Sequence, residues 1–300
     1  MSYPNRGKWG NSKYRGNCSG YVIRDLLLHF QPNQFLEIFA GSGTGYEVAR
    51  ELGYQDSVHL DLNPKWGGWN ALSSEMPEGS DFIFLHPPYH SIIQYSGVMW
   101  GEAHPDDLSR CASYEEFIKK MDLVNAKAYA CLRNGGYMAI LIGDCRKNGE
   151  YFSIQKDMAF IGKLHAHIIK AQHNCFSNDI SYANDSRTKG GLIRIEHEHL
   201  LIFQKNNVWV VPVAITQKAT QDLRQSLKVT WRDLIQASLE EIGGTATLEQ
   251  LYNKLVSTAK AKQNPHWKEK IRQTLQINGE FSNVTRGVWK LTPKIRTTAA

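Results

Sequence analysis

The chain has 300 residues, of which 42% are hydrophobic and 21% are charged, so it can form one large domain or two ordinary ones and is not expected to be disordered. It has no run of about 18 apolar residues and no apolar signal core at its start, so we expect a cytoplasmic protein with neither a transmembrane helix nor a membrane partner. The net charge of +6 is uneven, because 11 Lys and Arg stand against 6 Asp and Glu from Trp231 onward. This asymmetry favours a polyanionic partner for that segment, or else a merely soluble basic tail.

The first predicted element is an amphipathic helix that follows a polar, glycine-rich segment at residues 9–18. Its apolar residues recur at helical spacing and are Val22, Ile23, Leu26, Leu27 and Phe30. Ser19 is placed to cap this helix, and exposed N–H groups there would suit an anion. The alternative is an ordinary capped helix after a flexible tail.

A glycine-rich turn comes next, between a strand at Phe35 to Phe39 and a helix from about Tyr46. Glycine allows a sharp turn and a close approach of the backbone to a ligand. About twenty residues after the turn, a short strand ends at Asp61, which is the spacing at which nucleotide-binding α/β units place a carboxylate on ribose hydroxyls. The turn alone is weak evidence, because such turns are common.

A third strand, Asp81 to Leu85, ends in His86-Pro87-Pro88-Tyr89, where two prolines prevent further helix or sheet pairing. The irregular stretch that follows, residues 90–113, is long enough to be functional, and we predict a substrate-facing flap. Its aromatic residues Tyr95 and Trp100 would either stack on a base or pack under the loop.

The middle of the chain alternates between helix and strand. We predict a helix from Ser113 to Leu132 that ends at Asn134-Gly135-Gly136, and then a strand from Tyr137 to Ile142. The remaining predicted elements are a helix at Ile154 to Ile161, a strand at His165 to Ala171 and a last strand at His197 to Gln204 that closes the sheet. This order predicts an alternating α/β sheet, and the polar stretch at 173–191 is either a substrate contact or a surface loop.

Histidines and cysteines give little indication of a metal. His197 and His199 would face the same way in a strand, as would His165 and His167, but no Cys or carboxylate lies nearby at ligand spacing. We therefore predict no metal site. The five cysteines have no CxxC spacing and are interpreted as reduced thiols; they are Cys18, Cys111, Cys131, Cys145 and Cys175.

The C-terminal part, after an edge strand and linker at 206–229, follows a different pattern. We predict a first helix that is capped by Thr230 and ends at Gly243. A second helix begins with Thr247 and Gln250 in a capping box. A third helix is capped by Asn264 and has Pro265 at its first position. A hairpin follows, with its turn at residues 285–287. Three helices and a hairpin are typical of a winged helix-turn-helix, and the segment resembles the winged-helix modules of bacterial DNA-acting enzymes. Its third helix would present His266, Lys268, Lys270, Arg272 and Gln273 to DNA, and Ile271 and Leu275 to the core, with Arg286 in the hairpin turn as a further contact. A protein-binding module is the alternative.

The glycine turn, the strand end at Asp61 and the PPY motif together resemble the DNA amino-methyltransferases that use S-adenosylmethionine (SAM), over roughly residues 9 to 204. The resemblance implies a Rossmann-like, seven-stranded class I methyltransferase sheet at residues 1–205. The pattern of the C-terminal part predicts a linker at 206–229 and a winged-helix domain at 230–293. The resemblance also implies that the glycine turn shapes the methionine pocket, that Asp61 takes the ribose hydroxyls, and that the segment before the first helix closes over the methionine carboxylate. The implied cofactor-binding residues are Asn17, Phe39, Gly41, Ser42, Gly43, Thr44, Gly45, Asp61 and Asn63.

The resemblance implies that His86, Pro87, Pro88 and Tyr89 are catalytic, although the family usually has Asp, Asn or Ser where this chain has His86. A neutral His86 nitrogen and the Pro87 carbonyl would accept hydrogens from the exocyclic amine of a base, and Tyr89 would stack on that base. Such an active site needs double-stranded DNA with a flipped base. We predict adenine-N6 methylation. The alternatives are cytosine-N4 methylation, an RNA base methyltransferase and a non-catalytic DNA-binding regulator. A cognate restriction endonuclease is a candidate partner.

Overall fold

The computed structural model describes residues 1–173, 194–207, 209–217 and 222–292, and these separate into two compact units, Met1–Gln217 and Lys218–Ala300. Cys175 and most of the polar stretch at 173–191 therefore lie outside the described residues. Among the described residues, none of the helices combines the length and the apolar character needed to cross a lipid bilayer. The four described cysteines, Cys18, Cys111, Cys131 and Cys145, are free thiols.

The first unit alternates strands and helices. Its elements are α1 (Gly20–Phe30), β1 (Phe35–Ile38), α2 (Thr44–Glu51), β2 (Val58–Leu60), β3 (Phe82–Leu85), α3 (Tyr114–Cys131), β4 (Tyr137–Ile142), β5 (Cys145–Lys147), β6 (Glu150–Phe152), α4 (Ile154–Asp157), β7 (Phe160–Ile161), β8 (Lys163–Ala171), β9 (His197–Gln204) and β10 (Val213–Ala214). Short 3₁₀ turns lie at Pro64–Trp66 and Leu108–Arg110.

The main sheet has six described strands in the order β2-β1-β3-β4-β9-β8. Strands β1 to β4 pair in parallel, whereas β9 runs antiparallel to both of its neighbours. The sheet thus has one strand fewer, among the described residues, than the seven expected. The prediction that β9 closes the sheet is wrong: β8 forms the edge, because β9 pairs with β4 along its other side.

Two apolar layers cover the sheet. One face packs against α1 and α2 through Val22, Leu26 and Val48. The other packs against α3, whose Phe117 and Met121 are fully buried. β1 and β3 are buried throughout and β4 is buried after Tyr137, which explains why apolar residues fill these strands without alternation, apart from Glu37 in β1.

Several local predictions need correction. Ser19 occupies the N-cap position of α1, but its hydroxyl donates to the Arg6 carbonyl instead of capping the helix. The expected helix at Ile154 to Ile161 is a single turn that gives way to β7, which pairs with β10. The chain after β4 forms the β5–β6 hairpin, which was not predicted.

The second unit consists of α5 (Trp231–Ile242), β11 (Thr245–Thr247), α6 (Leu248–Leu255), α7 (Ala259–Gln263), α8 (Trp267–Ile277), β12 (Phe281–Thr285) and β13 (Val288–Leu291). The Thr230 cap and the Thr247–Gln250 capping box are confirmed. Asn264 ends α7 instead of capping the next helix, which begins later, at Trp267, so Pro265 precedes it. Ile271 and Leu275 face the core, as predicted.

Candidate active site

The glycine turn connects β1 to α2 at the carboxyl edge of the sheet. Gly41 and Gly43 have φ angles of +52° and +94°, in the left-handed region that favours glycine. The N–H group of Gly41 donates to the Asp61 carboxylate at 2.8 Å, which ties the turn to the end of β2. The helix begins at Thr44, two residues before the predicted Tyr46.

A first cleft opens above this turn, and Phe39 and Asp61 are among the residues that line it. Five of the nine residues that the resemblance implied for the cofactor line it: Asn17, Phe39, Gly41, Thr44 and Asp61.

The other four implied cofactor residues support the walls of the first cleft but do not line it. A Cβ on Gly45 would lie 2.1 Å from the Glu37 carboxylate, and a Cβ on Gly43 would lie 2.8 Å from the Trp66 ring. These glycines therefore permit close packing. Ser42 donates to the Asn17 side chain at 2.5 Å, and Asn63 accepts from the Lys65 N–H group at 3.0 Å to start a 3₁₀ turn.

Asp61 is a half-buried carboxylate at the wall of the first cleft. One oxygen accepts from Gly41 N and the other from Asn63 N, both at 2.8 Å. Burial raises the pKa of Asp61, and the two backbone N–H groups oppose that rise. Each carboxylate oxygen can accept more than one hydrogen bond, so these two contacts leave capacity for a ligand.

The loop at 90–113 faces the first cleft, where Tyr95 and Trp100 form part of the lining. The Tyr14 ring stacks on the Tyr95 ring, with centroids 5.9 Å apart. Asp107 holds the loop by accepting from the N–H and hydroxyl groups of Ser96, at 2.8 and 2.7 Å. Sequence reasoning missed Tyr14 and Asp107, because neither belongs to a motif.

His86 lies where the first cleft meets a second one. The second cleft is lined by Pro87 and Tyr89, whereas Pro88 lines the first cleft and His86 lines both. The strand β3 ends at Leu85, so the two prolines carry the motif out of the sheet at this junction.

A hydrogen-bonded network fixes His86 and Tyr89. The Tyr89 hydroxyl donates to Glu198 at 2.5 Å, and the Tyr89 oxygen lies 3.0 Å from His86 Nε2. Glu198 also forms a buried ion pair with Lys170. Because the Tyr89 proton is directed to Glu198, His86 Nε2 carries the proton that is donated to Tyr89, and the lone pair of the neutral ring is on Nδ1.

Burial controls the ionisation of this network. It lowers the pKa of His86 to about 4, so the ring is neutral at pH 7. Burial also raises the pKa of Tyr89 well above its ordinary value, and Glu198 adds to that rise. For Glu198 itself, burial is the largest single influence and acts to raise the pKa, but Lys170, His86 and Tyr89 together outweigh burial and hold the pKa below its usual value.

The second cleft is mainly cationic. Two carboxylates, Asp144 and Glu198, face six cationic side chains, which are Arg6, Lys13, Arg15, Arg146, Lys170 and Arg194. The Nη1 atom of Arg6 is buried and has no hydrogen-bond partner in the described part of the chain. This lining favours an anionic ligand.

The second unit has a basic surface on α8 and the β12–β13 turn. All four residues predicted to contact DNA are exposed there, and they are Lys268, Lys270, Arg272 and Arg286. The predicted contacts His266 and Gln273 are exposed as well. Arg272 is also bound internally, donating to Glu269 at 2.8 Å and to the Tyr252 hydroxyl at 3.0 Å.

No model of a protein family matches this chain, and no curated protein sequence matches it. Among solved structures, TrmN from Thermus thermophilus is 15% identical with a TM-score of 0.37, over 64% of this chain and 50% of TrmN. The N-methyltransferase NodS from Bradyrhizobium japonicum WM9, in complex with S-adenosyl-L-homocysteine, is 12% identical with a TM-score of 0.36, over 62% of this chain and 87% of NodS. A second Thermus thermophilus protein, provisionally assigned as a DNA modification methylase, is 22% identical with a TM-score of 0.23, over 40% of this chain and 47% of that one.

This chain thus spans about half the length of TrmN.

Proposed function

We propose that the first unit is a SAM-dependent methyltransferase that modifies the exocyclic amine of a flipped DNA base, with adenine N6 as its target. The observation that carries this proposal is the position of His86, a neutral acceptor at the junction of the cleft above the glycine turn and a cationic cleft. The parallel strands β1 to β4 and the reversed β9 further support a Rossmann-like class I methyltransferase fold.

The first cleft fits SAM by its chemistry. A strand, a glycine turn and a helix form its floor, and the half-buried carboxylate of Asp61 stands at the strand end, where a ribose would be held. Asn17 and Thr44 offer polar groups toward the methionine part. When bound, SAM supplies an electrophilic methyl group.

The residues of the chain then prepare the amine. The target nitrogen is a poor nucleophile because its lone pair is delocalised into the base. His86 Nδ1 and the Pro87 carbonyl accept its hydrogens, and this favours a tetrahedral nitrogen whose lone pair is available. Tyr89 and Glu198 hold the His86 ring in the tautomer that accepts. Positioning of this kind can supply roughly 7–11 kcal/mol.

The second cleft supports a nucleic acid as the substrate. Phosphates are the anions that a lining of Arg and Lys recognises, and Arg6 has an unpaired buried nitrogen for one of them among the described residues. A base within a duplex must leave the stack to reach His86, so the substrate would bind with its target base flipped.

For the second unit we propose a winged-helix module that binds DNA. The order helix, strand, helices and terminal hairpin supports this fold, and the exposed cations of α8 support a phosphate-rich partner. The proposal includes, as a candidate partner, a cognate restriction endonuclease that acts at the same DNA site.

The proposal is tested by incubating the full chain with SAM carrying a labelled methyl group and either duplex DNA or RNA. Label is expected in DNA and in DNA alone. Label in RNA only would transfer the proposal to an RNA base methyltransferase. No label in either substrate, together with measurable SAM binding, would contradict the catalytic proposal.

Asp61→Ala is expected to weaken SAM binding by roughly 1.5–3 kcal/mol, about tenfold to a hundredfold, because charge-assisted hydrogen bonds to the ribose are lost. Isothermal titration calorimetry on the folded variant measures this. Asp56→Ala removes an exposed carboxylate just before β2 and is the matched control. If Asp61→Ala bound SAM with the same affinity as the wild type, Asp61 would not be a cofactor-binding residue.

Lys268→Gln combined with Lys270→Gln is expected to weaken DNA binding and to reduce the slope of log K against log salt by about 0.9 for each phosphate that is no longer neutralised. Fluorescence anisotropy with duplex DNA over a salt series measures the slope. Lys254→Gln is the control, because that ammonium is already paired with Glu241 at 2.8 Å. If the double variant had the same slope of log K against log salt as the wild type, these lysines would not contact DNA phosphates and the module would bind another partner.

A further inference from the structure

We propose that Asp144, His197 and His199 form a binding site for one divalent transition-metal ion of the zinc type. Each of the three side chains offers one ligand atom, and these atoms all lie within 4.8 Å of one another. The prediction of no metal site was made because no Cys or carboxylate lies at ligand spacing from the histidine pair in the sequence, and the fold supplies a carboxylate from the end of β4.

The fold brings these residues together from two strands. His197 and His199 lie two apart in β9 and therefore project to the same side of the sheet. Ile142, the last residue of β4, pairs with His199, so Asp144 leaves the sheet beside both histidines. Asp144 is 53 positions from the nearer histidine, which is why no ligand spacing is visible in the sequence.

Two atoms of this cluster are buried without a partner. Asp144 Oδ1 and His199 Nε2 each lack a hydrogen bond to any described residue. His199 Nε2 lies 3.6 Å from Asp144 Oδ2, which is too long for a hydrogen bond but close to the roughly 3.3 Å between two ligands on a tetrahedral zinc ion. A cation between these atoms would satisfy both.

The surroundings hold the ligands in place. His199 Nδ1 lies 2.9 Å from His167 Nε2, so a proton on Nδ1 is donated to His167 and the lone pair of Nε2 is directed to the site. This is the arrangement in which metal-binding imidazoles are usually oriented. Tyr151 and Ser153 donate to Asp144 Oδ2 at 2.6 and 3.2 Å and fix the carboxylate.

Two imidazoles and one carboxylate are a donor set for zinc and for similar transition-metal ions, in contrast to the all-oxygen sets of magnesium and calcium. Three protein ligands leave one tetrahedral position for water. The ion would clamp the end of β4 to β9. The proposal does not depend on methyl transfer.

The test uses untagged, metal-free full-length protein titrated with Co²⁺, whose visible absorption reports coordination by protein ligands. We expect one Co²⁺ per chain, displaced by Zn²⁺, and a rise in the thermal unfolding midpoint with Zn²⁺ by mass action. His197→Ala and Asp144→Asn are each expected to weaken Co²⁺ binding by more than about 100-fold, and His167→Ala by about 10–100-fold.

His165→Ala is the matched control, because this histidine is exposed on the same strand as His167 and is not in the cluster. Asp144→Asn keeps the side-chain volume, so it serves as the decisive variant if a histidine variant fails to fold. Wild-type protein that binds no Co²⁺, or Asp144→Asn that binds it as tightly as the wild type, would overturn the proposal and leave Asp144 and His199 as an ion pair only.

Discussion

His86→Ala is expected to lower the single-turnover rate of methyl transfer by about 10²–10⁴-fold and to leave SAM affinity unchanged. The imidazole supplies an acceptor for the target amine, and alanine supplies none. His86→Asn restores an acceptor oxygen and should recover part of the rate. Single-turnover methylation and calorimetric SAM binding on the same preparations separate the two effects, and His29→Asn, at an exposed position on α1, is the control.

The pH dependence of this rate tests the protonation state directly. A protonated His86 cannot accept a hydrogen, so the rate should fall as the pH drops through the His86 pKa, which burial lowers to about 4. His86→Asn should lack this acid limb, because an amide oxygen does not titrate there. Rates from about pH 3.5 to about pH 8, with circular dichroism at each point to confirm folding, provide the comparison. Identical acid limbs would mean that His86 is not the titrating acceptor and that the Pro87 carbonyl acts alone.

Lys170→Met is expected to destabilise the first unit by about 3–5 kcal/mol at neutral pH, because it leaves the Glu198 carboxylate buried without its counter-charge. The side chains of this pair are only 10% and 7% exposed. Lys170→Met combined with Glu198→Gln should recover most of the loss, since no buried charge remains. Urea unfolding of the three proteins measures the free energies.

The exposed pair Lys8–Glu51 is the control for this experiment, with side chains 72% and 45% exposed, and Lys8→Met should change the stability by no more than about 1 kcal/mol. The difference in the free energy of unfolding between Lys170→Met and the wild type should become smaller as the pH falls. In the wild type the pKa of Glu198 is lowered, so the stability that the ionised Glu198 contributes is lost only as the pH falls through that lowered pKa. In Lys170→Met, protonation of Glu198 removes the unpaired buried charge and so relieves the destabilisation. If Lys170→Met lowered the free energy of unfolding as little as Lys8→Met does, and the double variant recovered none of it, the description of Lys170 and Glu198 as a buried ion pair would be contradicted.

Local patterns in the sequence were enough to predict the main elements. The bounds predicted for β4 and β9 agree with the structure, because a continuous apolar run between turn residues gives a buried strand. The glycine turn and the position of Asp61 followed from their spacing, although β2 ends at Leu60, one residue before the predicted Asp61. The strand at 165–171 was also predicted, although β8 begins two residues earlier.

The polar network was not predictable, because its members meet only through strand pairing. Tyr89 and Glu198 are 109 positions apart, and Lys170 meets Glu198 because the two are paired across β8 and β9. One signal was present: Glu198 is a charged residue within an apolar strand, and a buried charge requires a partner. The sequence does not say which partner that is.

The glycines show a similar limit. Spacing indicates a turn at Gly41, Gly43 and Gly45, but it does not show that Gly41 lines the first cleft while Gly45 makes room for Glu37. The helix expected at Ile154 to Ile161 failed for a tertiary reason, since Ala159 N donates to Asp122 on α3 and the chain then pairs with β10.

The most direct test is to identify the methylated nucleoside. Duplex DNA treated with the full chain and SAM is digested to nucleosides and analysed by mass spectrometry, with His86→Ala as the inactive control. The proposed function predicts N6-methyladenine with the wild type and none with His86→Ala. N4-methylcytosine would keep the reaction and change the target base. DNA that carries no methylated base, when the protein binds both SAM and DNA, would contradict the claim that the two clefts and His86 form a methyltransferase site.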